Sequence, residues 1–187
     1  MSNSTTHSFQ AEVKQVLDIV AHSIYKDKDI FLRELVANAA DAIDKARFLS
    51  LTQQDMIRDW EIRIEADKDT KTLIISDNGV GMNRDELIEN LGTIAHSGTK
   101  AFTEALEKAK TEGSVSAPEL IGQFGVGFYA AFMVADKVRV VTKKRATDSA
   151  FMWESDMDGT YTISDAQREG WGTSVMLHLR DEHKEYL

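Results

Sequence analysis

The apolar period of this sequence changes along the chain, from about 3.6 residues to about two, and that change restricts the fold more than any other feature. Near the start Val13, Val16, Leu17, Val20 and Ile24 recur at helical spacing. A second helical pattern begins at about Asp29 and sets Ile30, Phe31, Leu35, Ala39, Ala42 and Ile43 on one stripe, with Asp27 or Asp29 available to cap it. From Trp60 the period is two: Ile62 and Ile64 alternate with charged residues, Asp67 to Lys71 reads as a turn, and Thr72 to Ser76 as the returning strand of a hairpin. Leu87, Ile88 and Leu91 restore a helical pattern, and further helices are expected over Ala101 to Lys110 and Phe128 to Val134. Between these, Thr111 to Pro118 holds the only proline and reads as a loop. Val138 to Thr142, Ala150 to Glu154, Tyr161 to Ser164 and Thr173 to Leu179 read as strands, the last with Val175, Leu177 and Leu179 on one face. Helices gathered early and strands late predict an α+β fold, with helices packed on one face of a mostly antiparallel sheet.

At 187 residues, 42% apolar and 28% charged, the chain suits a single domain with a packed core. It has no cysteine, which excludes thiolate metal sites and thiol redox chemistry. The polar start, Met1 to His7, does not read as a secretory signal, and no run approaches the roughly 20 apolar residues of a membrane helix, so a cytoplasmic protein without a membrane partner is expected. A net charge of −9 disfavours nucleic acid as a partner. An anionic ligand would have to be held by local donors: backbone amides, helix N-termini or a metal ion.

Three constellations carry chemistry. Glu34, Asn38 and Asp41 share one stripe of the second helix, which serves either as a solvated surface or as one wall of a site. Asp77, Gly79 and Gly81 follow a strand directly; they form either an Asn-Gly turn or a place where backbone and carboxylate approach a ligand. Gly122, Gly125 and Gly127 precede a helical run, where exposed amides and the helix dipole favour a phosphate. Gly125 to Ala130 also fits a loose dinucleotide pattern but lacks a preceding strand, and Gly98-Thr99-Lys100 has the wrong spacing for a P-loop. Seven of the 11 glycines fall within Gly79 to Gly81, Gly92 to Gly98 and Gly122 to Gly127, which argues for one site rather than independent turns.

Taken in order, Glu34-x-x-x-Asn38-x-x-Asp41-Ala42, Asp77-x-Gly79-x-Gly81, Gly122-x-x-Gly125-x-Gly127 and Gly172-Thr173 resemble the motifs of the GHKL ATPase superfamily, whose fold is the Bergerat two-layer sandwich. Phe31 to Leu35, Leu91 to Ala95, Ser97 to Lys100 and Ile121 to Tyr129 resemble more narrowly the N-terminal ATP-binding domain of the heat-shock protein 90 chaperones, in their bacterial, HtpG-type branch. The similarity runs from about Phe9 to Leu187.

The resemblance implies roles for single residues. Asp77 would accept the adenine amino group with Thr173 assisting, Met82 and Leu91 would pack on the base, and Asn38 would ligate Mg²⁺ bridging the phosphates of ATP or ADP. Glu34 would orient and deprotonate the attacking water as the catalytic base, with Asp41 supporting the site. The backbone from Gly122 through Gly125 and Gly127 to Phe128 would hold the phosphates under a lid at about 92–125. His96 stands where the family usually has lysine; together with Lys100 it is a candidate phosphate contact, or else an ordinary lid-surface histidine. Ala37 and Ala40 stand where relatives often carry serine.

The implied function is an ATP-binding, weakly hydrolysing domain of a molecular chaperone acting on unfolded or partly folded clients. The alternatives within the superfamily are a histidine kinase and a DNA-topology or repair ATPase. The first would need a phosphoacceptor histidine on a helical hairpin, where neither His7 nor His22 lies, and the second a basic channel. The family would continue past residue 187 into middle and C-terminal domains, so this chain is expected to be a monomeric fragment of a homodimer that turns over slowly.

Overall fold

A computed structural model describes residues 4–9, 28–52, 59–92, 126–156 and 158–187. The expected helices over Val13 to Ile24 and Ala101 to Lys110, the loop at Thr111 to Pro118 and nearly all of the 92–125 lid lie outside the described residues.

Seven strands form one sheet in the order β1-β6-β5-β4-β7-β3-β2, where β1 is Ser4–Ser8, β2 Ile62–Asp67, β3 Thr72–Asp77, β4 Ala135–Lys143, β5 Ala150–Ser155, β6 Thr160–Ala166 and β7 Gly172–Leu179. Every pairing is antiparallel. Among the described residues, helix α1 (Ile30–Ser50), helix α2 (Arg84–Gly92) and a 3-10 helix at Gly127–Met133 accompany the sheet. The α+β sandwich expected from the segregation of periods is therefore the fold.

Register explains where the core sits. Ile75, Val175, Val140, Trp153 and Ile163 stand opposite one another on consecutive strands, forming one inward row across the sheet. Leu73, Leu177 and Val138 form the next row. The buried stripe of α1, formed by Ile30, Phe31, Leu35, Ala39, Ile43 and Ala46, and the wholly buried 3-10 helix lie over these rows. Phe9, Phe128, Tyr129, Trp153 and Tyr161 meet edge to face or tilted, apart from Trp153 and Tyr161, which stack, with centroid separations from 4.9 to 6.4 Å.

Four local features depart from the sequence reading. Asp29 occupies the N-cap position of α1 but makes no capping bond; its carboxylate instead accepts the Tyr186 hydroxyl at 2.6 Å. The run Phe128 to Val134 is helical, but as a 3-10 helix, shaped by burial of all seven of its residues rather than by helix propensity. Arg180 holds the end of that turn, its guanidinium donating to the carbonyls of Phe132 (2.8 Å) and Met133 (3.2 Å). Strand β1 has no apolar alternation and forms because β6 offers it a pairing edge; a second 3-10 helix, Asp181–Tyr186, closes the chain.

Candidate functional site: a cleft between helix α1 and the end of the sheet

Two residues beyond the apolar row, register sets Asp77, Thr173 and Thr142 side by side on β3, β7 and β4. All three are buried, so the inward face changes from hydrocarbon to polar at the end of the sheet. A cleft of about 740 Å³ opens above this row. Its floor is Ile75, Asp77, Val140, Thr173 and Val175; one wall is Glu34, Asn38, Asp41 and Lys45 of α1; the other is Gly81, Met82, Glu86, Asn90 and Leu91; Gly127 and Phe128 close one end.

Asp77 is 7% exposed, and its Oδ1 accepts the Gly79 N–H at 2.8 Å. Burial drives its carboxyl up to about 6, against the opposing pull of the Gly79 N–H, the Arg168 charge and the Thr173 N–H. Thr142 Oγ1 accepts the Met82 N–H at 2.9 Å and lies 3.0 Å from the Thr173 hydroxyl and 3.2 Å from the Gly172 carbonyl. A hydroxyl has one proton, so the Thr142 proton goes either to Gly172 or to Thr173. The first choice leaves Thr173 an acceptor toward the cleft and the second leaves it a donor.

The second wall is held by its own sequence. Asn83 and Glu86 form a reciprocal capping box at the start of α2: the Glu86 N–H donates to Asn83 Oδ1 and the Asn83 N–H to Glu86 Oε2, each at 2.9 Å. Glu86 also pairs with Lys144. Gly81 has φ +63°, and a Cβ there would stand 1.9 Å from the Lys143 carbonyl oxygen, so only glycine can carry the chain past β4 into this wall. Against the first wall, the half-buried Glu34 carboxylate reaches the start of the 3-10 helix, where a Cβ on Gly127 would lie 2.2 Å from Oε2. Burial raises the Glu34 carboxyl above its ordinary value, opposed by Arg33.

The residues read as site candidates thus divide in two. Glu34, Asn38, Asp41, Asp77, Gly81, Met82, Leu91, Gly127, Phe128 and Thr173 all line the cleft. Gly122, Gly125, His96 and Lys100 lie outside the described residues. Ala37 lines the cleft; Ala40 is not among its lining residues. Sequence reasoning missed Thr142, Lys45, Glu86 and Asn90, and also Arg168, behind the floor. The Asn83-x-x-Glu86 spacing is a capping signal that was there to be read, whereas Thr142 and Arg168 carry no local signal, because only strand pairing brings them to Asp77.

Residues 29–170 match the family described as histidine kinase-, DNA gyrase B- and HSP90-like ATPase. The chain belongs to this family of ATPases. Membership implies that the domain binds a nucleotide, and the HSP90-like ATPase is the member its relatives resemble. The chain is 53% identical over 185 residues to chaperone protein HtpG of Rhodospirillum rubrum, covering 97% of this chain and 29% of that protein. It is 55% identical over 183 residues to chaperone protein HtpG of Gluconobacter oxydans, covering 97% and 29%, and 51% identical over 192 residues to that of Serratia proteamaculans, covering 100% and 30%. It therefore spans less than a third of the length of these relatives, and its fold and sequence are those of an HSP90-like ATP-binding domain. Among the described residues no helix is long and apolar enough to cross a membrane.

Proposed function

We propose that this chain binds ATP and ADP with Mg²⁺ in the cleft, with the base on Asp77 and the phosphates toward Glu34 and Asn38, and hydrolyses ATP slowly as the nucleotide-binding domain of a cytoplasmic chaperone. The observation that carries this reading is a buried carboxylate at the cleft floor in register with two hydroxyls, facing a helix that presents a half-buried glutamate one turn from an exposed asparagine. Asp77 takes the exocyclic amino group of adenine, and a base that presents a carbonyl there meets a repelling acceptor. The Thr173 hydroxyl assists as donor or acceptor. Met82 and Leu91 offer the base an apolar surface.

Asn38 would hold Mg²⁺ through its amide oxygen, a use that suits an ion taking few protein ligands. When bound, that ion neutralises charge on the phosphates. Glu34 orients a water toward the γ-phosphorus and takes its proton as the new P–O bond forms and the bond to the β–γ bridging oxygen breaks. Its raised pKa suits a base, because the proton it takes is held more tightly. Gly122 and Gly125 belong to the phosphate-holding backbone in this reading, His96 and Lys100 to a lid at about 92–125 that closes over the nucleotide, and Asp41 supports the wall. Clients and a homodimeric assembly belong to the longer chaperone, and this domain acts as a monomer. A histidine kinase or DNA-topology ATPase has less support, since the HtpG relatives match nearly the whole chain.

The test is calorimetric titration of ADP with Mg²⁺ into the wild-type chain and Asp77→Asn. Saturable binding in the first and none in the second is the expected result. Binding indifferent to Asp77 would remove the adenine assignment, and no binding by the wild-type chain would remove the function.

A further inference from the structure

On the face of the sheet opposite α1, directly behind the cleft floor, the loop between β6 and β7 brings the guanidinium of Arg168 to the end of β3. Nη2 donates to the main-chain carbonyl of Asp77 at 2.9 Å and Nη1 to Ser174 Oγ at 2.8 Å. Ser174 in turn accepts the Ser76 hydroxyl at 2.9 Å, and Ser76 and Ser174 are paired in register immediately before the Asp77–Thr173 pair. One planar group therefore ties the end of β3 to the start of β7 at the point where the polar row begins. Gly172 passes the same carbonyl so closely that a Cβ would lie 2.2 Å from it, which leaves Asp77 little room to shift once Arg168 is bonded.

We propose that Arg168 is a positioning residue of the nucleotide site, clamping the main chain of Asp77 from behind the sheet and holding its carboxylate charged for the amino group of the base. The proposal rests on the reading of Asp77 as the adenine acceptor. Arg168 is not among the residues that line the cleft, and it acts through Asp77, by geometry and by charge.

The charge argument follows from the surroundings. Among the described residues, the titratable groups lining the same cleft are Glu34, Asp41 and Lys45 of α1 and Glu86 of α2, the last paired with Lys144. Beside Ser76 on the outer face stands Arg63, paired with Glu61. Burial opposes a charge on Asp77, bringing its carboxyl up to about 6, and Arg168 is the charge that works against that rise. A neutral side chain at 168 lets the carboxyl climb further, so that near pH 6 most copies of the site hold a protonated acid, which is a poor acceptor.

The test is ADP titration with Mg²⁺ at pH 6 and pH 8 for the 187-residue chain, Arg168→Gln, which keeps a donor and loses the charge, and Arg168→Lys, which keeps the charge. If the acid rises by about one unit, affinity in Arg168→Gln falls about fivefold at pH 6 and scarcely at pH 8, and Arg168→Lys recovers most of it. Equal weakening at both pH values would mean that Arg168 only supports the loop, and would overturn the proposal. So would unchanged binding. The carboxyl ¹³C shift of Asp77, titrated without nucleotide in wild type and Arg168→Gln, separates the two readings: a midpoint that moves upward is expected, and an unmoved midpoint overturns the proposal even if ADP binds. Failure of the wild-type chain to bind ADP overturns the nucleotide reading and, with it, the positioning role.

Discussion

Asp77 combines a cost and a use in one side chain. Its folded-state pKa of about 6 lies above the ordinary value of 3.8, so between those values the folded chain binds more protons than the unfolded one. The stabilisation that comes with the protonated acid is complete below about pH 4 and is lost as pH rises through about 6. Asp77→Asn removes the ionisation cost and keeps an oxygen for the Gly79 N–H. It is expected to be more stable than wild type at pH 7.5 by about 1 kcal/mol, with the difference closing toward pH 4. Urea denaturation across that range checks the sign, and a variant destabilised at pH 7.5 would show that the lost acceptor outweighs the removed charge. Gly127 offers a second residue-scale test. Its missing Cβ leaves room for the Glu34 carboxylate, so Gly127→Ala displaces that carboxylate. ATP hydrolysis is expected to fall by about 10²-fold, with ADP affinity changed far less, because misplacing a base by an ångström affects the reaction more than binding. Single-turnover hydrolysis beside calorimetry separates the two effects.

Among the elements, α1 needs a fixed seat, because its stripe carries Glu34, Asn38 and Asp41. The β3–α2 loop supplies that seat: the Val80 N–H donates to the Ala42 carbonyl at 3.2 Å, and a Cβ on Gly79 would approach the Ala42 carbonyl carbon to 2.5 Å and the Ile43 nitrogen to 2.8 Å. These neighbours are backbone atoms in a helix and cannot rotate aside. Gly79→Ala is therefore expected to lose about 1–3 kcal/mol by pushing α1 from the loop, with weaker ADP binding as a consequence. Urea melts and ADP titration of this variant measure both; full stability with normal binding would show that the seat is softer than the geometry implies. The run Asp77-Asn78-Gly79 had two readings in the sequence, a turn and a ligand approach. The structure shows a bend whose glycine admits the helix and whose aspartate lines the cleft.

For the whole molecule, the sheet order puts β4 and β7 in the middle, each bonded on both sides, with the 3-10 helix packed on β4 and α1 on β3 and β7. Edge strands β1 and β2 have one partner each, and both carry mostly exposed side chains. Amide exchange should accordingly be slowest in β4 and β7 and fastest in β1, with protection in the centre approaching that of global unfolding. Rapid exchange in β7 would mean that the cleft floor opens locally, without the rest of the sheet. The polar row Asp77–Thr173–Thr142 lies at the end of these strands, so the cleft floor is tied to the best-supported part of the fold while its α-helical walls rest upon it.

Much of this protein was legible along the chain alone. The change of period settled an α+β fold because a helix buries every third or fourth residue and a strand every second, and α1, the β2–β3 hairpin and the late strands lie where those patterns fall. Spacing on one helix was enough to align Glu34, Asn38 and Asp41, since residues three and four apart share a face. Pairing between distant strands was not legible. Asp77, Thr173 and Thr142 meet only through the register of β3 on β7 and of β7 on β4, Arg168 reaches Asp77 only because Ser174 pairs with Ser76, and β1 exists only because β6 offers an edge. Side-chain period is a local property written into neighbouring residues, whereas register is decided by the packing of the whole sheet, and that packing turned separate short motifs into a single cleft.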